Sequence, residues 1–192
     1  MTPFKKAYEK VIRYEGGYAN DPNDGGGETY KGIARNFHPN WAGWLIIDDL
    51  KKNADSRRII DESESLLEPY VERFYLENYW RKIRGDALPS LIAEELFEQS
   101  VNLGISVSVK HLQTSLNIIA KGDVLAIDGK FGPHTFKMAL DLLQGNNIKI
   151  CYNLLNILQG SRYINLMKEN IKYRKYIGWF TRVNIYKEDR GC

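Results

Sequence analysis

Glu15-Gly16-Gly17-Tyr18-Ala19-Asn20-Asp21-Pro22-Asn23-Asp24-Gly25-Gly26-Gly27-Glu28-Thr29-Tyr30-Lys31-Gly32-Ile33 follows an amphipathic N-terminal segment and sets an acid where an apolar residue is expected. Counting back from Glu15 at about 100° per residue, Phe4, Tyr8, Val11 and Ile12 fall within about 60° of its direction. The spacing predicts a helix over 3–15 whose buried stripe Glu15 continues, stopped by Gly16-Gly17. An apolar edge disfavours the carboxylate, so the expected pKa is raised and the group keeps its proton near neutral pH. A general acid needs that state. The Gly/Asp/Asn-rich run to Gly32 reads as turns or a short hairpin, with Asp24-Gly25 as the turn signal.

Working outward, residues 37–44 carry two tryptophans and His38-Pro39, too irregular for one element and suited to the wall of a cleft. Residues 45–60 are ambiguous. Helical spacing then predicts helices over 64–81, 88–102, from 106 to about 119, 133–144 and 147–170. Strand signal is sparse, so the expected class is mainly α, with a small hairpin or irregular Gly-rich loop near the N-terminus. No Pro/Ser linker is visible, and regions 1–104 and 105–192 are expected to pack as one compact unit.

The 192 residues suit one domain or one with a small appendage, and 43% hydrophobic content suffices for a core. Lys and Arg number 27 against 24 Asp and Glu, a net +3 too mixed to imply nucleic acid and as well suited to an anionic cell wall. No apolar run approaches a membrane span, and no Sec signal is visible at the N-terminus. Cys151 and Cys192 suggest neither a disulfide framework nor a metal knuckle.

Cleaving a glycosidic bond takes an acid for the leaving oxygen and, usually, a second carboxylate or a positioned water. Asp21, Asp24 and Glu28 are candidates for the second role, although Asp21 before Pro22 and Asp24 before Gly25 serve equally as turn formers. Calcium fits poorly, because the twelfth position of such a loop is Gly32 and not the bidentate Glu of an EF-hand. Asp24 lies nine positions after Glu15 and Thr29 fourteen, an arrangement similar to the Glu, Asp, Thr set of phage-type lysozymes with one residue fewer between Asp and Thr.

Glu15-Gly16-Gly17-Tyr18, Asn20-Asp21-Pro22, Asp24, Gly26-Gly27, Thr29 and Gly32-Ile33 together resemble the opening motif of glycoside hydrolase family 108, the lysozyme-like N-acetylmuramidases of phages and Gram-negative bacteria. The resemblance continues through Tyr79-Trp80, Gly85-Asp86-Ala87-Leu88-Pro89, Val101-Asn102-Leu103-Gly104 and Gly178-Trp179-Phe180-Thr181-Arg182. It implies a lysozyme-like fold and hydrolysis of the bond from N-acetylmuramic acid to N-acetylglucosamine in peptidoglycan, with Glu15 as the acid. Asp24, or failing that Asp21, would orient water or stabilise the transition state, with Thr29 helping to hold that water. Tyr18, Asn20, Tyr30 and Asn102 are the expected substrate-binding residues, and no metal or organic cofactor is called for. A lytic transglycosylase acting on the same bond and a non-catalytic peptidoglycan-binding or secretion-assisting protein are the alternatives.

The segment Ile127-Asp128-Gly129-Lys130-Phe131-Gly132-Pro133-His134-Thr135 resembles helical peptidoglycan-binding modules, or else simply completes the core. Trp41, Trp44, Trp80 and Trp179 could stack on sugars, though large aromatics are more often core. His38, His111 and His134 show no metal spacing and are expected at the surface or at caps, and Glu94, Glu95 and Glu98 fit a solvated helix face. Synthesis in a bacterial cytoplasm, as for a prophage endolysin, with release to the wall through a holin, a secretion machine or lysis, is the expected route.

Overall fold

The structure is a computed structural model that describes residues 1–21, 25–53 and 56–186. The chain divides into two compact units, Met1–Trp80 and Arg81–Cys192. The sequence expectation placed its boundary later, between 104 and 105.

The first unit opens with helix α1, Pro3–Ile12, capped by the Thr2 hydroxyl accepting from the Lys5 amide and started by Pro3, whose missing N–H costs nothing there. Phe4, Ala7, Tyr8 and Val11 are its buried stripe. The helix stops three residues short of Glu15: the Tyr14 and Glu15 amides bond to Val11 and Ile12 carbonyls in tight turns. Strands β1 (Tyr18–Asn20), β2 (Glu28–Tyr30) and β3 (Ile33–Ala34) follow as an antiparallel sheet in chain order, in which Tyr18 faces Tyr30 and Asn20 faces Glu28. Helices α2 (Gly43–Asn53) and α3 (Ser56–Tyr75) occupy the ambiguous stretch, and α3 runs on as a π-helical turn, Leu76–Trp80. Trp44, Ile47, Leu67, Val71 and Trp80 are at most 2% exposed and fill this core.

The second unit is built from α4 (Ser90–Leu103), α5 (Ile105–Ala120), α6 (Pro133–Leu142) and α7 (Asn146–Glu169), followed by a 3-10 strap, Ile171–Arg182. The α4 helix packs against both α5 and α7. Covered from two sides, it buries polar side chains as well as Ile92, Leu96 and Phe97. Glu95 is 8% exposed and therefore not on a solvated face, as its helical spacing had suggested. His111 on α5 is buried too, instead of lying at the surface. The strap kinks at Tyr176 (φ −94°, ψ 30°), where the rings of Tyr173, Tyr176 and Trp179 cluster, the last two parallel at 4.9 Å and Trp179 resting on Tyr163 of α7. No described helix is long and apolar enough to cross a membrane.

Candidate active site

Glu15 reaches its place through the turn after α1 and not along the helix face. Its carboxyl lies against Gly32, at the turn between β2 and β3. A Cβ built on Gly32 would sit 2.6 Å from Glu15 Oε2 and 2.7 Å from the Tyr75 hydroxyl oxygen, and the backbone there has φ +75°, a conformation glycine adopts without strain. Tyr75 comes from the end of α3 and donates to the Lys31 carbonyl at 2.8 Å. Tyr79, one π-turn later, stacks on Tyr75 with ring centroids 5.6 Å apart. Burial first, and then the Glu15 charge, hold both phenols protonated well above the usual tyrosine range. The acid is thus walled by a bare glycine backbone and by tyrosines that stay neutral.

The other sequence candidates divide. Cross-strand partners share a sheet face, so Tyr18, Asn20, Glu28 and Tyr30 lie on one side and Ala19, Thr29 and Ala34 on the other. Tyr18 is half-buried and donates to Glu28 at 2.7 Å, with the Lys51 ammonium 5.5 Å from its ring centre. Glu28 also pairs with Arg35 Nε at 2.7 Å and with Lys51, while Arg35 holds Asp48 through its two terminal guanidinium nitrogens. That carboxylate is committed to tying the sheet to α2. Tyr30 is 1% exposed and stacks on Trp41, so its ring supports the wall from behind and has almost no surface to offer a sugar. The Thr29 hydroxyl donates to the Gly27 carbonyl at 3.1 Å. Asn20 and Asp21 are exposed. Asp24 lies outside the described residues. Asn102 belongs to the second unit, where its amide donates to the Tyr163 hydroxyl.

Residues 37–44 do form a wall. With α3 and the π-turn they enclose a groove of about 490 Å³ lined by His38, Trp41, Tyr70, Phe74 and Asn78, with Phe37 70% exposed at the same place. Trp44 and Trp80 are core residues at 2% and 0% exposure, which removes them as sugar platforms. Among the described residues no group of three or more His, Cys, Asp or Glu is arranged to hold a metal. Tyr75, which sequence reasoning missed, carries no signal beyond its place on the apolar face of a predicted helix.

Residues 8–104 match the family model described as Glycosyl hydrolase 108, a match that takes in Glu15, the sheet and the α3 tyrosines. The chain belongs to this family. It is therefore a glycoside hydrolase, of the lysozyme-like type that degrades peptidoglycan. Among solved structures it is similar to SagA of Brucella abortus, with a TM-score of 0.63 and 26% identity over 94% of this chain and 88% of that one. The likeness agrees with a mainly α, lysozyme-like fold carrying a small three-stranded sheet. No curated protein matches the chain.

Proposed function

We propose that this hydrolase is an N-acetylmuramidase, cleaving the bond from N-acetylmuramic acid to N-acetylglucosamine with Glu15 as general acid. The observation that carries the reading is the seat of Glu15, a carboxyl set directly against the bare backbone of Gly32, within the segment that matches the family model. In this reading Glu15 protonates the leaving oxygen as the glycosidic bond breaks. Asp24, or else exposed Asp21, directs water to the anomeric carbon. Thr29 lends its hydroxyl to that water, and Tyr18 and Asn20 contact the glycan.

The second unit is proposed to help bind the glycan strand through the Asp128–Thr135 segment, on the strength of its motif. Action at the wall, after release through a holin, a secretion machine or lysis, follows from the substrate.

Mass spectrometry of the soluble products from purified peptidoglycan tests the reading, with wild type beside a folded Glu15→Gln variant. Reducing muramic ends from wild type alone support it. Anhydro ends would make the protein a lytic transglycosylase, and no release by either protein would leave a glycan-binding or secretion-assisting role.

A further inference from the structure

The strap Ile171–Arg182 keeps apolar and cationic side chains together in water. Every residue from 171 to 178 is exposed, with Ile171 at 70% and Ile177 at 68%, and Tyr173 and Tyr176 exposed between them. From 168 to 182 the sequence sets five cations, Lys168, Lys172, Arg174, Lys175 and Arg182, against one acid, Glu169. Arg182 is taken by Glu98 at 3.2 Å. Among the described residues Lys172, Arg174 and Lys175 meet no carboxylate, and the Lys175 ammonium lies 4.9 Å from the Tyr176 ring centre. On a lipid surface, aliphatic groups enter the acyl boundary, tyrosine and tryptophan sit at headgroup level, and lysine stems reach up to phosphate. We infer that the strap is a peripheral membrane-binding surface whose partner is an anionic phospholipid leaflet. The inference does not depend on which carboxyl is the acid.

A glycan strand is the other candidate for a wall hydrolase, and the rings decide against it. A sugar stacks on an open aromatic face. Here Tyr176 and Trp179 lie face to face, 2° from parallel with centroids 4.9 Å apart, and Trp179 also rests on Tyr163 at 5.3 Å. Those faces are largely spent on one another. Ile171 and Ile177 have no hydrogen bond to give a polyol, and covering its hydroxyls with them costs free energy. An acyl boundary asks for none. The twelve-residue strap, kinked at Tyr176, is too short and too charged to cross a bilayer, so it lies on one leaflet. Its ends are tied down, which presents the exposed middle in one shape. At the start the Asn170 side chain accepts the Lys172 amide at 3.0 Å, and at the end Trp179 and Arg182 hold Tyr163 and Glu98.

Co-sedimentation of the full chain with lipid vesicles is the test. Phosphatidylglycerol vesicles should bind it, phosphatidylcholine vesicles at least about 10-fold more weakly, and added salt should close most of that gap. Lys172→Gln combined with Lys175→Gln should weaken binding to phosphatidylglycerol about 30-fold, roughly fivefold for each cation near an anionic surface. Ile177→Ser should weaken it about 10-fold, the size of an isoleucine side chain partly withdrawn from water. That change alters no charge, so the loss separates this surface from the general attraction of a chain with net charge +3. All these positions are exposed, circular dichroism establishes that each variant is folded, and Ile171→Ser repeats the measurement should Ile177→Ser not fold. Equal binding to the two lipids, binding to neither, or binding that survives the substitutions overturns the inference. So do variants that lose retention on lipid-free peptidoglycan and keep it on vesicles, which would make the strap a glycan contact.

Discussion

Glu95 on α4 and His111 on α5 are joined by a single amide. Gln99 Nε2 donates to Glu95 Oε1 at 2.7 Å and to the Leu155 carbonyl at 3.0 Å, while Gln99 Oε1 meets His111 Nδ1 at 2.8 Å. Two acceptors fix which end of the amide is nitrogen, and the histidine must then carry its proton on Nδ1. Burial pushes Glu95 up to about 7 and His111 down to about 4.

These shifts oppose each other in the pH dependence of stability. The raised Glu95 contributes most below its ordinary value of 4.5, and that contribution is lost as pH rises through about 7. The depressed His111 contributes above its ordinary 6.5, and that contribution is lost as pH falls through about 4. Between 4.5 and 6.5 the two slopes cancel, so wild-type stability should be nearly flat there. Glu95→Gln should remove one slope and leave stability rising with pH. Urea unfolding at pH 5 and pH 8 should show the variant gaining on the order of 3 kcal/mol relative to wild type between the two. A constant difference between variant and wild type would refute the assignment.

Gln113 holds the loop after α5 as Gln99 holds the helices. Its amide donates to Asp128 at 2.9 Å and to Thr135 at 3.1 Å, and its oxygen accepts the Gly129 amide at 2.9 Å. Gly129 has φ +75°, and a Cβ there would strike Ser106, so the loop has one way to close. Gln113→Leu strands the buried Gly129 amide and takes one partner from Thr135, and should cost about 2 kcal/mol in chemical denaturation. A loss under 1 kcal/mol would mean that water replaces the amide.

Glu28 separates a structural carboxylate from a catalytic one. Glu28→Gln weakens its ties to Arg35, Lys51 and Tyr18 and should lower stability by about 2 kcal/mol, as for a partly buried pair that loses its charge. Turnover per folded molecule should stay within a few-fold of wild type. A melting temperature close to wild type with lost turnover would move Glu28 into the chemistry.

Tyr30 and Phe37 test which aromatics meet the substrate. Tyr30→Ala, at a 1%-exposed position, should cost about 3–5 kcal/mol, as other large-to-small core changes do. Phe37→Ala, at a 70%-exposed position, should leave stability within about 0.5 kcal/mol, so any rise in KM on peptidoglycan reads contact with the glycan.

The helices of both halves were legible wherever one face alone is buried, as in α1, whose stripe of Phe4, Tyr8 and Val11 is the buried face. The same stripe singles out Glu15 as a candidate, yet the chain delivers it through turns beginning at Ile12, because hydrogen bonds and not periodicity end the helix. Periodicity failed at Glu95 and His111, whose covering groups come from α7, more than forty positions along the chain. Tyr30 was misjudged for a related reason. Its neighbours in sequence bracket the acid, but strand alternation and Trp41 turn its ring inward.

The second unit's interior is wired as much as it is filled. Gln159 reaches both Glu98 and Tyr163, Glu98 takes Arg182, and Asn156 accepts the Asn184 amide, so α7 is registered by directional bonds at several heights. Oily contacts can slide by a fraction of a turn and heal, but these cannot. Divergence in this half should accordingly proceed by coordinated replacement, with positions 95, 98, 99, 111, 156 and 159 exchanged as sets while the greasy positions between them drift one at a time.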